Sequence, residues 1–416
     1  MRKHDRTIRK QNRLPLRDAA VAVVRTLREA GHVAYFAGGC VRDEVMGITP
    51  TDYDVATDAR PQRIGALFAR AYSVGEAFGV MHVRVGGHTI EVATFRKDDA
   101  YTDKRHPDAV HFSDAEHDAR RRDFTINGLF EDPIEDTIID YVGGQRDINE
   151  GIIRAIGDPQ ARINEDHLRM LRAVRFAARF EFVIEKNTAE AIRSASEHLQ
   201  GISRERIGEE VRRMLSNRHR GAAASMMQDL RLDAAALHEP HTANEPVRVA
   251  RLPEPASYPA ALAAWLLDRH GEVGRPAARE IARRWRSALM LSNQQFSALG
   301  QRLTVHHHLL HDWRSQSVAW QKRLAASEGF DEALAIIRAV DAPACHAVES
   351  RVAELAATGL NPPPLLTGDD LIAAGLDPGP RFKQILAGVY DAQLEGRVRD
   401  HAAALALARD LAAHSR

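Results

Sequence analysis

Two aspartates, Asp52 and Asp54, are separated by a single residue in DYDVAT, a run with strand-forming character. In a strand, this spacing projects both carboxylates from one face. Such a pair is an oxygen platform for Mg2+, which takes few protein ligands and completes its shell with water and substrate phosphates. A two-metal site of this kind activates an attacking hydroxyl and stabilises a departing pyrophosphate. Upstream, the strand VAYFAGG ends in Gly38-Gly39 and a short helix follows, so backbone N–H groups can approach a triphosphate closely. Arg42, one turn into that helix, could add a guanidinium fork to the phosphates. Either feature alone is commonplace, a solvated acidic pair or a glycine turn; their succession in one strand–Gly-Gly–helix unit points to nucleotide chemistry. Glu91, in TIEVATF, is a candidate third carboxylate for the same metals, and an outward polar position on an alternating strand is the competing reading.

Two further clusters are basic. In RRRDFTIN, Arg120-Arg121-Arg122 beside Asp123 could bind phosphate or fix a sugar, and Asn127 offers a side-chain amide; a solvated helix end is the bland alternative. In INEDHLRMLRAVRFAARF, from Ile163 to Phe180, Asp166, Arg169, Arg172 and Arg175 recur every third residue of what reads as one helix. Leu168, Leu171 and Val174 form a parallel apolar row, which would leave the arginines along a rim. An aspartate and an arginine one turn apart can read a base edge. Cytosine and adenine each show an amino donor beside a ring-nitrogen acceptor, which a carboxylate and a guanidinium complement. Uracil and guanine invert that pattern and would leave buried groups unpaired. A surface ion pair is the other account of Asp166 and Arg169.

These residues need elements to hold them. Residues 17–30 read as an amphipathic helix stopped by Gly31, and a second helix spans 61–71. VMHVRV and TIEVATF, joined through Gly86-Gly87, read as a hairpin. After about residue 160 the strand signal largely disappears and helical patterns run to the end, with alanine-rich helices near 259–264 and 402–412. A chain of 416 residues exceeds one compact core. The expected fold class is α+β, with a mixed catalytic head followed by an all-helical neck, body and tail. Lys plus Arg equals Asp plus Glu at 57 each, so RNA contact must come from local clusters rather than global charge. No apolar run approaches the ~20 residues of a membrane span, and the basic start lacks a secretory apolar stretch. Two cysteines, Cys40 and Cys345, fit a reducing, cytoplasmic setting. His306-His307-His308 with His311-Asp312 invite a metal reading, but with no second ligand cluster they read as a polar helix face.

GGCVRDEVMG with PTDYDVAT, RRDFTING, YVGGQRDI and NEDHLRMLRAVRF together resemble the class II tRNA nucleotidyltransferase and bacterial poly(A) polymerase family, over roughly residues 30–215; residues 365–398 also resemble that family's tail. The resemblance implies a polymerase-β-like head with Asp52 and Asp54 as magnesium ligands. Gly39, Arg42 and Arg122 would bind the incoming nucleotide, and the residue reading adds Gly38, Asp123 and Asn127 to that nucleotide site. Asp166 and Arg169 would act as an amino-acid template, supported by Arg172 and Arg175. Implied segments are a nucleotidyltransferase head at 1–150, a neck at 151–220, a body at 221–350 and an RNA-binding tail at 351–416. His167 stands where a small residue or proline is expected, and Gly128 where alanine is expected.

Within the family, Glu76-Ala77 before Phe78 lacks the basic residues that polyadenylating relatives carry, and residues 95–112 resemble the flexible loop of relatives that add the final A. The expectation is therefore template-independent addition of C and A to the tRNA 3′ end, using CTP and ATP and releasing pyrophosphate. Poly(A) polymerase, an A-adding specialist and a non-catalytic RNA-binding protein are the alternatives. No protein partner is inferable.

Overall fold

Residues 14–73, 79–98 and 110–414 are described in a computed structural model. The alternating runs form strands β1 (Ala34–Ala37), β2 (Asp54–Thr57), β3 (Ala71–Ser73), β4 (Val80–Val85), β5 (His88–Thr94), β6 (Arg96–Asp98), β7 (Val110–Phe112), β8 (Leu129–Asp132) and β9 (Thr137–Asp140). Seven of these make one sheet in the order β3-β4-β5-β2-β1-β8-β9, with β6 and β7 paired separately. Only β2 and β5 run parallel within it; its other pairings are antiparallel. Gly86 and Gly87 both take positive φ, +58° and +84°, as a two-residue hairpin turn between β4 and β5 requires.

Period-2 alternation gives the sheet two chemically different faces. Phe36, Val55, Val83 and Val92 are fully buried on one, where helix α1 (Leu16–Glu29) lays Val23, Val24 and Leu27 across the strands. Each of these three contributes roughly 1.5–3 kcal/mol relative to an exposed position. The expected stop at Gly31 is a Schellman arrangement: the Gly31 amide donates to the Arg28 carbonyl at 2.9 Å and that of His32 to Leu27 at 3.0 Å. The opposite face, carrying Asp54 and Glu91, is left for chemistry.

Helices in the first half are α2 (Gly39–Val45), α3 (Pro61–Leu67), α4 (Ala115–Arg120), α5 (Gly144–Glu150), α6 (Pro159–Glu165), α7 (Leu168–Phe180), α8 (Lys186–Ala195) and α9 (Arg204–Leu215). Two expectations are corrected. The helix expected over 61–71 ends at Leu67 because Phe68 turns extended, φ −117° and ψ 116°, and the chain goes on to pair as edge strand β3. The single helix expected over Ile163–Phe180 is two, because Asp166 is extended at φ −147° and ψ 104°. Its carboxylate accepts from the Leu168 amide at 3.0 Å, so a residue expected inside a helix instead helps start one.

Two compact units make up the chain, one of residues 1–214 with 226–241 and one of residues 215–225 with 242–416. Division into head, neck, body and tail is finer than these two units. The second unit is helical among its described residues. Trp265 and Trp285 meet in its interior with ring centroids 5.6 Å apart. Leu371, Ile385, Val389, Ala404 and Ala408 build a separate core for the last helices.

Candidate active site

Strand register assembles the carboxylates. Asp54 on β2 lies directly opposite Glu91 on β5, and Glu91 opposite His82 on β4, whose Nε2 is 3.6 Å from the Glu91 carboxylate. Residues directly opposite in a sheet share a face, so Glu91 belongs beside Asp54. Asp52 lies just before β2 and is exposed. Burial pushes the Asp54 carboxyl up to about 7, with Glu91 and then Asp52 adding to the rise and Arg122 opposing it. Asp54 keeps solvent access, so this crowding reflects a carboxylate at the mouth of a cleft rather than in the core. The cleft, ≈ 250 Å³, is lined by Asp54, Glu91, Thr94, Arg96, Arg121 and Arg122 over an apolar floor. A larger cavity of ≈ 1180 Å³ in the second unit has Glu328 as its only carboxylate, so it is not where cation chemistry belongs.

Among the described residues, no group of three His, Cys, Asp or Glu side chains is arranged to hold a metal ion. The acidic pair nevertheless fits a divalent cation. Its charges repel one another without full neutralisation, and magnesium draws its remaining ligands from phosphates and water.

Arg122 is the cleft cation opposing that charge. Its Nε and Nη2 donate to buried Asp118 at 3.2 and 3.0 Å, Nη1 donates to the Asn127 carbonyl at 3.2 Å, and its guanidinium lies 5.1 Å from the Phe130 ring centroid. Asp118 also holds Arg121 at 2.8 Å. It was missed in the sequence, although its place three and four residues before two arginines that follow α4 was a readable signal. Gly38 explains itself here: at φ +75°, a Cβ on it would come within 2.5 Å of the Arg122 guanidinium. Gly39 opens α2 directly after it.

Arg42 is placed differently from expectation. It is 4% exposed. Nε and Nη2 donate to Asp43 at 2.8 and 2.6 Å, and Nη1 to the Asn127 side chain at 2.5 Å. Asn127 in turn donates to Asp123 at 2.9 Å, and Arg172 donates to the other Asp123 oxygen at 2.7 Å. Burial would raise the Asp123 carboxyl, but Arg172 and Asn127 hold it down at about 2. Arg42, Asn127, Asp123 and Arg172 thus form a closed polar chain in which buried charge is matched donor for acceptor. Three N–H groups of the Arg42 guanidinium are thus held by the protein itself.

The base-reading candidates come together around the α6–α7 break. Arg169 donates to Glu165 and to the Arg162 carbonyl, at 2.5 and 2.7 Å, and Arg206 on α9 donates to Asp166 at 2.6 Å. Arg175 is tied to Glu210 at 2.6 Å and lies over the Phe176 ring. Leu168, Leu171 and Val174 are buried as expected; of the arginine rim, Arg169 at 8% exposed and the Arg175 side chain at 11% are drawn inward by carboxylates, while the Arg172 side chain stays 33% exposed. Glu165 was readable from its i,i+4 spacing to Arg169. Arg206 and Glu210, some 35 to 40 residues away from their partners, gave no local signal.

The departures also have physical accounts. A Cβ at Gly128 would meet Val142 at 2.7 Å, so alanine does not fit beside this valine. His167 is buried with its ring 5.0 Å from that of His198. In YVGGQRDI, the Asp140 carboxylate gathers the amides of Val142, Gly143, Gly144 and Gln145. Gly144 leaves no room for a Cβ against the Thr125 carbonyl. His306 is not part of a polar face: it is buried, and burial pushes it down to about 4. Glu76, Ala77 and Phe78, and most of the 95–112 loop, lie outside the described residues.

This geometry has relatives. Residues 34–154 match the poly A polymerase head domain, and residues 181–243 match a probable RNA and SrmB-binding site of polymerase A. A CCA-adding enzyme of Levilactobacillus brevis is 34% identical over 405 residues, covering 94% of this chain and 97% of that protein. The chain belongs to the CCA-adding enzyme and bacterial poly(A) polymerase family. It is thus a nucleotidyltransferase, and its mixed head with a helical remainder is the family's fold. The crystal structure of Bacillus stearothermophilus CCA-adding enzyme in complex with CTP is 27% identical with a TM-score of 0.77, covering 96% of this chain and 98% of that one. Poly(A) polymerase I of Salmonella typhi is 41% identical over 215 residues, covering 49% of this chain and 46% of that protein. No helix among the described residues is long and apolar enough to cross a membrane.

Proposed function

We propose that this protein completes and repairs the CCA end of tRNA in the cytoplasm, adding C and A from CTP and ATP with release of pyrophosphate. The observation that carries this is coverage: similarity to a CCA-adding enzyme spans 94% of this chain, whereas similarity to a poly(A) polymerase spans 49% of it. In this reading the head is 1–150, the neck 151–220, the body 221–350 and the RNA-binding tail 351–416.

Asp52 and Asp54 hold magnesium, with Glu91 beside them. When bound, the metal lowers the pKa of the RNA 3′-hydroxyl and takes up charge on the pyrophosphate. Arg122, fixed by Asp118, faces the triphosphate across the cleft, and the Gly38-Gly39 turn lets the backbone come close. Asp166 accepts from the exocyclic amino group of C or A, and Arg169 donates to the adjacent ring nitrogen. Glu165 and Arg206 keep these two side chains in place. Arg172 and Arg175, anchored through Asp123 and Glu210, support that site and the phosphates.

The test is incorporation of labelled CTP and ATP, with magnesium, into tRNA transcripts ending at the discriminator, at C or at CC. Addition of CCA followed by a stop is the expected result. Labelling only of the CC transcript would assign an A-adding enzyme, a ladder of A a poly(A) polymerase, and no incorporation a non-catalytic RNA-binding protein.

A further inference from the structure

We infer that Glu131 is a positioning residue for nucleotide transfer: it holds a proton that it donates to Glu44, and this acid pair fixes, through Tyr53, the segment bearing Asp52 and Asp54. This rests on the reading of those two aspartates as the metal ligands.

The cluster lies behind the catalytic face of the sheet, under α1. Glu131 on β8 stands opposite Phe36 on β1 and is 3% exposed. Arg17 of α1 has its guanidinium 5.6 Å from the Phe36 ring centroid and bridges two carboxylates. Its Nη2 donates to Glu131 Oε1 at 2.5 Å and its Nε to Glu44 Oε1 at 2.9 Å. The Tyr53 hydroxyl donates to the same Glu44 oxygen at 2.5 Å, and its ring packs 5.0 Å from that of Phe36. Tyr53 is the residue between Asp52 and Asp54, so alternation turns it to this face while Asp54 meets the cleft. The second Glu131 oxygen, Oε2, is buried, and no donor among the described residues reaches it.

One guanidinium does not neutralise two carboxylates, and an ionised Glu131 would keep a buried oxygen unanswered. A proton on Oε2 removes both faults. It makes the orphan oxygen a donor, with Glu44 as the acceptor at hand, and it leaves one cation against one anion. Arg17 is the cation that acts on both carboxylates. Of the other groups around them, Arg28 of α1 is tied to Asp132, and Cys40 of α2 is a buried thiol pushed up to about 12 and therefore neutral. Burial and Glu44 likewise push the Tyr53 phenol up, β1 and β9 set Phe36 and Ile138 opposite Glu131, and Asp136 adds a further negative charge. Burial, the bond to Glu44 and the Glu44 charge push the Glu131 carboxyl up to about 8, with Arg17 opposing. Burial would raise Glu44 as well, but its bonds with Glu131, Tyr53 and Arg17 hold it below the ordinary value.

Protonated, Glu131 steadies the carboxylate that anchors Tyr53. Ionised, it repels that carboxylate, and the backbone between the metal aspartates loses a fixed anchor. Glu131 has a folded pKa above its unfolded value of about 4, so its contribution to stability is present below about pH 4 and lost as pH rises through about 8. Incorporation falls over the upper part of that interval.

The test uses the full chain with magnesium, labelled CTP and a tRNA transcript ending at the discriminator. Glu131→Gln keeps a donor and stays neutral at every pH, Glu131→Ala has no donor, and Tyr53→Phe cuts the link while leaving the proton. The expected result is kcat lowered about tenfold by Glu131→Ala and by Tyr53→Phe, with KM for CTP within about twofold of wild type. Glu131→Gln should restore most of the rate and abolish a wild-type decline in kcat centred near pH 8. Carbon-13 NMR of the glutamate side-chain carboxyls, with Glu131 assigned by its loss in Glu131→Gln, reads the proton without activity and decides the matter if Glu131→Ala does not fold. A Glu131 resonance titrating near pH 8 is expected in wild type and in Tyr53→Phe. Titration below about pH 5, or the same alkaline decline in Glu131→Gln, would overturn the inference. Incorporation undiminished by Asp54→Ala would instead overturn the metal reading beneath it and leave the Glu131 titration unchanged, so the two failures are distinguishable.

Discussion

The first unit holds two aspartates with opposite electrostatic fates. Asp54, at the mouth of the cleft, is pushed up to about 7 by burial, Glu91 and Asp52, with Arg122 the opposing charge. Asp123 is more deeply buried, which alone would raise it further, yet it rests at about 2 because Arg172 and Asn127 answer its charge. One site leaves negative charge in excess, and the other leaves none. An excess that the protein does not neutralise is available to an external cation and its phosphates. A closed network is architecture, however rich it is in residues that chemistry uses. Arg42, Asp123 and Arg172 belong to such a network in this structure.

The contrast can be broken from either side. Asp54→Ala should lower nucleotide incorporation by about 10³-fold or more while leaving RNA binding intact; single-turnover extension of a labelled tRNA, alongside a gel-shift, measures both. Loss of binding in parallel would remove the distinction. On the closed side, Arg172→Ala leaves a buried carboxylate unpaired and should cost about 3–5 kcal/mol in urea unfolding. A change below about 1 kcal/mol would mean that Asp123 is not framework. Asp166→Ala, at the boundary between the two, should let UTP and GTP compete about tenfold better against CTP and ATP. A fall in rate without lost discrimination would sink the template role. The finest comparison is pH dependence in EDTA. Asp54 has a folded pKa above its unfolded value, so its contribution to stability is present below about pH 4 and lost as pH rises through about 7. Asp123 has a folded pKa below its unfolded value, so its contribution is present above about pH 4 and lost as pH falls toward about 2. Urea midpoints for Asp54→Asn and Asp123→Asn should each flatten the corresponding limb, and slopes of the same sign would contradict the assignment.

Much of the local structure was legible because it is encoded locally. Gly31 ends its helix through two backbone bonds within five residues, and Gly86-Gly87 supplies the two positive φ values of a hairpin. Asp54, Arg121 and Arg122 could be singled out because spacing carries the signal, and the structure brings them to one cleft. The helix break at Asp166 was not legible, since INEDHLRM has unbroken helical periodicity. What competes there is a side chain that accepts its neighbour's amide and a distant arginine at once.

Chain order therefore specified the elements, their chemistry and, through joint motifs, the family. It did not specify which charges would be paired. Glu91 meets Asp54 only because β5 lies parallel to β2 across an intervening hairpin, and Arg206 meets Asp166 only because α9 returns to the α6–α7 junction. Arg42 turned inward because Asn127, Phe176 and Phe180 surround it once the helices pack. Periodicity extends over a few residues, whereas burial and charge pairing are properties of surfaces that exist only after distant segments meet.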